Sequence, residues 1–157
     1  HLRDPINYDF RPKPDSPLVD AGVKTSAYDL PSKDSNFKGI RFTGAAPDIG
    51  AYESDGDYYW IPGRLEEITT TPVPKNKALE VPLNTDLMFL RAYNALEHEV
   101  WLGSDPDKLR LFKKLSDNNN IINIPTLNRG KTYYWRVDAI TVDGTITGNV
   151  WSFKTVD

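Results

Sequence analysis

Apolar and polar side chains alternate with the two-residue period of a β-strand through residues 132–140. Tyr133, Trp135, Val137 and Ala139 fall on one face; Tyr134, Arg136 and Asp138 fall on the other. A second alternating run, residues 149–155, puts Trp151 and Phe153 on one side. Two adjacent antiparallel strands, each turning a tryptophan inward, predict the core of a β-sandwich. Upstream, further runs predict strands over residues 78–83, 86–90 with Leu87 and Phe89 inward, 98–103 with Val100 and Leu102 inward, 109–115 and 121–124. Turn residues punctuate them at 104–107, 117–120, 128–130 and 143–144. Short strands at such spacing predict an all-β domain of two packed sheets.

The first sixty or so residues lack this regularity. Short apolar runs occur at residues 17–22 and 49–52, without an obvious hairpin partner. So short a segment does not easily bury a core alone, and its runs are expected to be short strands that stack onto something further. Tyr58, Tyr59 and Trp60 precede the Pro62-Gly63 turn. They could form a ligand platform or clamp the first segment against the next domain. Residues 65–74 contain Thr70, Thr71, Pro72 and Pro74 and predict a stiff, extended connector. The expected domains are therefore residues 1–62, a connector over 63–73, and a sandwich over 74–157.

Composition narrows the function. A net charge of −3 with no basic arm argues against a nucleic-acid partner. No apolar run is long enough to cross a membrane. The absence of cysteine excludes disulfides and thiolate metal sites. No signal peptide is visible, and the chain begins at His1 rather than Met; it is expected to be a fragment of a longer, secreted chain.

Two resemblances add to this reading. Residues 8–22 (Tyr8, Phe10, Pro12, Ser16, Pro17, Asp20, Ala21, Gly22) and 46–53 (Asp48, Ile49, Gly50, Ala51, Tyr52, Glu53) resemble the last turns of secreted right-handed parallel β-helix enzymes, the polysaccharide lyases and glycoside hydrolases of polysaccharide-degrading bacteria. In such a cap, Asp20 and Asp48 are expected to accept backbone N–H bonds in tight turns. Gly22 and Gly50 are expected where a Cβ would clash, and Pro12, Pro14 and Pro17 where sheet pairing ends. The family's catalytic residues lie on the solenoid body, so none maps onto this chain. Pro74, Val81, Pro82, Leu87, Val100, Gly103, Leu109, Leu127, Gly130, residues 133–139 and residues 150–153 resemble the fibronectin type III pattern of bacterial carbohydrate-active enzymes. That resemblance implies a tyrosine corner at Tyr133, its hydroxyl bonded to upstream backbone. The expected fold is thus a fibronectin type III-like β-sandwich preceded by an irregular short-strand segment resembling a β-helix cap.

Candidate chemistry is sparse. His98 is expected at a strand surface or rim rather than as a general base, and no paired carboxylates or nucleophile elbow stand out. Glu53, Asp55 and Asp57, or Asp105 and Asp107, could offer oxygen to calcium, but neither set has a dedicated loop spacing. No catalytic residue, metal or cofactor is assigned. By strand parity, Trp101, Tyr134 and Arg136 point outward from neighbouring strands, and Arg110 and Lys114 could join them. Exposed aromatics stack on sugar rings, and cations pair with carboxylate or sulfate. These five residues are the candidate carbohydrate site, with an anionic polysaccharide as partner and a catalytic domain in cis. A secreted or cell-surface bacterial setting is expected. The alternatives are a spacer without a ligand, or an adhesion module with a protein partner.

Overall fold

The computed structural model describes residues 1–24, 42–116 and 119–157. The chain divides into two compact units. The first comprises His1–Pro5 and Asp9–Gly56; the second comprises Ile6–Tyr8 and Asp57–Asp157.

In the first unit, β1 (Leu2–Asp4) pairs antiparallel with β2 (Asp9–Pro12). β2 stops at the first of the three prolines. Its Asp9 and Arg11 are both buried and form a two-pronged ion pair, with Nε 2.9 Å from Oδ1 and Nη2 2.7 Å from Oδ2. The parallel fork geometry is what makes such a pair tolerable away from water. The apolar runs expected as short strands form none. They are loops pinned to one another, with Ile49 N–H donating to Leu18 and Gly22 N–H to Pro47. Carboxylates take the backbone donors that a ladder would use. Asp20 accepts from Ala45 and Ala46, and Asp48 accepts from Asp20 and Ser54, at 2.6–3.0 Å. A Cβ on Gly22 would stand 2.6 Å from the Pro47 carbonyl oxygen, as expected of that glycine. Gly50 differs: the nearest atom to a Cβ there is 4.0 Å away, and its requirement is a φ of 155°.

The second unit is a sandwich of two sheets. One runs in the order β3 (Thr70–Val73), β5 (Asp86–Leu90), β8 (Ile121–Asn123). The other runs β4 (Ala78–Val81), β11 (Trp151–Thr155), β9 (Thr132–Thr141), β6 (Glu97–Gly103), β7 (Arg110–Leu115). β10 (Gly144–Ile146) folds back on β9 from the Asp143-Gly144 turn. Each of the seven strands expected from periodicity is present, with ends shifted by at most two residues at either terminus. The expected turn at 117–120 has its first two residues outside the described residues.

The core lies where parity puts it. Trp135, Val137 and Phe153 are essentially inaccessible, and Trp151 nearly so. Trp135 meets Trp151 edge-on, with centroids 4.8 Å apart, and Leu87, Phe89, Val100 and Ile122 complete the cluster. The Tyr133 hydroxyl accepts the Asn128 N–H at 3.0 Å, and its ring stacks on Phe153 at 5.7 Å. The corner implied by the resemblance is therefore formed.

Two expectations change. Thr70–Val73, read as connector, is an edge strand paired with β5. β-branched Thr70, Thr71 and Val73 suit a strand, and Pro72 sits where the register shifts, at an edge that tolerates its missing N–H. Residues 63–73 thus lie inside the second unit, within its continuous stretch Asp57–Asp157. β5 also does not alternate: Asp86, Met88 and Leu90 are buried along with Leu87 and Phe89.

The preceding segment is fastened to this strand by Asn120, which is fully buried. Its Nδ2 donates to the carbonyls of Tyr59 (2.6 Å) and Phe89 (2.5 Å), and its Oδ1 accepts the Tyr59 N–H (2.7 Å). Its own N–H reaches the Asp57 carbonyl at 3.4 Å. One side-chain amide thus does the work of a strand residue. Replacing Asn120 by Ala leaves these buried groups unmet, at roughly 1–3 kcal/mol for each unsatisfied group. Asn120→Ala is expected to lower the urea midpoint of the second unit by a corresponding amount with m unchanged. An unaltered midpoint would show that Tyr59 is held by something else.

Candidate functional site

The outward face of β6 and β9 carries the expected aromatics. Trp101 stands directly opposite Arg136, and Tyr134 opposite Gly103. Trp101 and Tyr134 are therefore diagonal neighbours, within reach of large side chains. Both are partly buried.

The cations are committed locally. The Arg136 guanidinium carbon lies 5.4 Å from the Trp101 ring centroid, so the ring's electron-rich face is already occupied by a cation. The same guanidinium reaches both carboxylate oxygens of Asp138, at 2.8 and 2.9 Å. Asp138 is buried although parity points it outward, and its carboxylate also accepts the Gly148 N–H at 2.9 Å. Lys114 Nζ is 2.5 Å from Glu99 and 3.8 Å from Glu97. The hydrogen bond to Glu99 and that carboxylate's charge raise the lysine pKa. Arg136 and Lys114 thus face Asp138, Glu99 and Glu97, leaving the patch with one excess negative charge.

Arg110 does not join them. A bulge shifts the β6–β7 register between Val100 and Trp101, so Val100 opposes Lys113 while Trp101 opposes Leu111 and Leu102 opposes Arg110. Directly opposed residues share a face. Arg110 therefore lies on the Leu102 side, and Leu102 packs on the core. Simple alternation could not show the extra residue.

His98 also departs from expectation. It is buried, not at a rim, with its ring 5.3 Å from Phe89 and its Nε2 accepting the Ala92 N–H at 3.2 Å. Burial, helped by the charge of Arg91, lowers its pKa to about 4. It is a neutral anchor for the β5–β6 loop. Among the described residues, no three His, Asp or Glu side chains gather to hold a metal ion. Asp105 accepts the Asp107 N–H and faces Lys108, while Glu53 accepts backbone N–H groups from Thr43 and Asp48. Burial is the main cause raising the Glu53 pKa.

Sequence reasoning missed Asn120, Asp138 and the depth of His98. Only Asp138 left a trace: an acid two residues from Arg136 on the same strand face is placed to pair with it.

The second unit is a fibronectin type III-like β-sandwich. Its sheet order, Tyr133 corner and inward tryptophans carry that assignment. No protein-family model and no curated protein matches the chain. Among solved structures it is similar to one described as a myokine (15% identity, 59% of this chain and 99% of that one, TM-score 0.44). It is also similar to the sixth fibronectin type III domain of human fibronectin type III domain containing protein 3 (13% identity, 65% and 94%, TM-score 0.43). A third, an FN3tt mutant, has 14% identity over 57% of this chain and 96% of that one, with TM-score 0.38. Likenesses this distant add no argument about function.

The buried imidazole gives this sandwich a pH dependence with a defined sign. The unfolded chain binds a proton at His98 below about pH 6.5, whereas the folded chain does so only near 4. Stability from the neutral ring is full above 6.5 and is lost as pH falls toward 4, about 3 kcal/mol in all. Chemical denaturation between pH 6.5 and 5, above most carboxylate titration, should show falling stability. His98→Gln, which can still accept the Ala92 N–H, should flatten that slope; an equal slope in the variant would assign the proton elsewhere.

Proposed function

We propose that this chain is a non-catalytic accessory region whose sandwich holds neighbouring domains in position and has no polysaccharide ligand of its own. One observation carries the reading: the cations and the tryptophan face of the best candidate site are engaged by one another and by Asp138, Glu99 and Glu97. An anionic sugar would have to displace those carboxylates, and a neutral sugar would have to displace Arg136 from Trp101. The buried, neutral His98 is equally unsuited to proton transfer with a substrate.

The likeness of residues 8–22 and 46–53 to β-helix terminal turns supports a catalytic neighbour in cis, in a secreted bacterial polysaccharide-degrading enzyme. Under this reading the chain contributes geometry to that enzyme, not chemistry. Affinity electrophoresis through gels containing pectin, alginate or sulfated glycans tests it. The chain and its Trp101→Ala variant are expected to migrate alike and unretarded. Retardation that Trp101→Ala relieves would restore the sugar-binding reading.

A further inference from the structure

We propose that the outer edge of β7 takes up an extended acidic polypeptide segment as an added strand. β7 is terminal in its sheet and, among the described residues, pairs with β6 alone. Such an edge presents a row of backbone donors and acceptors that another backbone matches in register. A polysaccharide offers no such ladder. Five of the six residues of β7 are exposed. Leu111 and Phe112 are among them, at 43% and 38%, and would pack against apolar side chains of the incoming strand.

Charge selects the occupant. Residues 108–115 hold Lys108, Arg110, Lys113 and Lys114 with no acid among them, in a chain whose net charge is −3. Lys108 is committed to Asp105, and Lys114 to Glu99 and Glu97. Arg110 and Lys113 have no carboxylate partner among the described residues. The bulge that opposes Val100 to Lys113 and Leu102 to Arg110 gives these two cations the same side of the edge. A second copy of the chain would set like charges beside like charges. Lysines and a bulge blunt an edge toward neutral and basic strands. Toward an acidic strand the same lysines attract, so the repulsion that protects the edge also confers selectivity.

Arg110 and Lys113, the cations that select the strand, lie on the Leu102 and Val100 side of the sheet and not on the Trp101 side, so their test is separable from the reading of the Trp101 face. The test is anisotropy titration of the whole chain with a fluorescent peptide of alternating glutamate and valine, against an alternating lysine and valine control. Saturable binding of the acidic peptide alone is expected, with amide exchange slowed at Arg110–Leu115. The double variant Arg110→Glu with Lys113→Glu changes only exposed side chains. It should keep the thermal midpoint and weaken binding about tenfold or more. The proposal is overturned by no saturable binding, by equal binding of the basic peptide, or by affinity unchanged in the double variant. Protection confined to other strands overturns it as well. So does self-association, or retention by acidic polysaccharide in place of peptide, that the double variant abolishes.

Discussion

The edge-on contact between Trp135 and Trp151 is the interaction on which the second unit depends. It requires β9 and β11 to be adjacent, antiparallel and in one register, because a slip of either strand by a single residue would turn its ring to the other face. Once that register is fixed, every second side chain of β9 has its place. Val137 and Ala139 join the core, while Arg136 and Asp138 are left facing each other on the outside. The outward pair is thus a consequence of the inward one. The same strand supplies the hydrophobic anchor and the ionic contact that occupies the exposed face.

Much of this was legible in the chain itself because side-chain alternation is a local property. The runs around Trp135, Trp151, Val100 and Leu87 each name their inward residues without reference to any partner. What was not legible involves residues distant in sequence or a break in periodicity. Asn120 is one of several polar turn residues, and nothing nearby marks it as the group that will bond Tyr59 and Phe89. The bulge in β7 is visible only against β6, so simple alternation gives Arg110 and Lys114 a common face that the extra residue denies them. Thr70–Val73 read as a linker because two prolines outweighed its β-branched residues, yet an edge position accommodates Pro72.

The candidate site shows the same divide. Parity correctly turned Trp101, Tyr134 and Arg136 outward. It could not reveal that Arg136 lies over Trp101 and against Asp138, because outward-facing and available are different properties. In the first unit the pattern is complementary. Asp20, Asp48 and Gly22 behave as their turn chemistry implies, while the apolar runs beside them are loops, since carboxylates rather than a neighbouring strand satisfy the backbone.

Asn120 also bears on how such a module could move between proteins. A recombination joint cut anywhere between residues 62 and 74 would look silent by composition, falling among prolines and threonines. It would nonetheless part the amide from Tyr59, and the recipient chain would inherit a buried asparagine without the backbone groups it bonds there. A unit able to move intact is therefore longer than the repeating pattern of its strands suggests, since it takes in Ile6–Tyr8 as well as Asp57–Asp157.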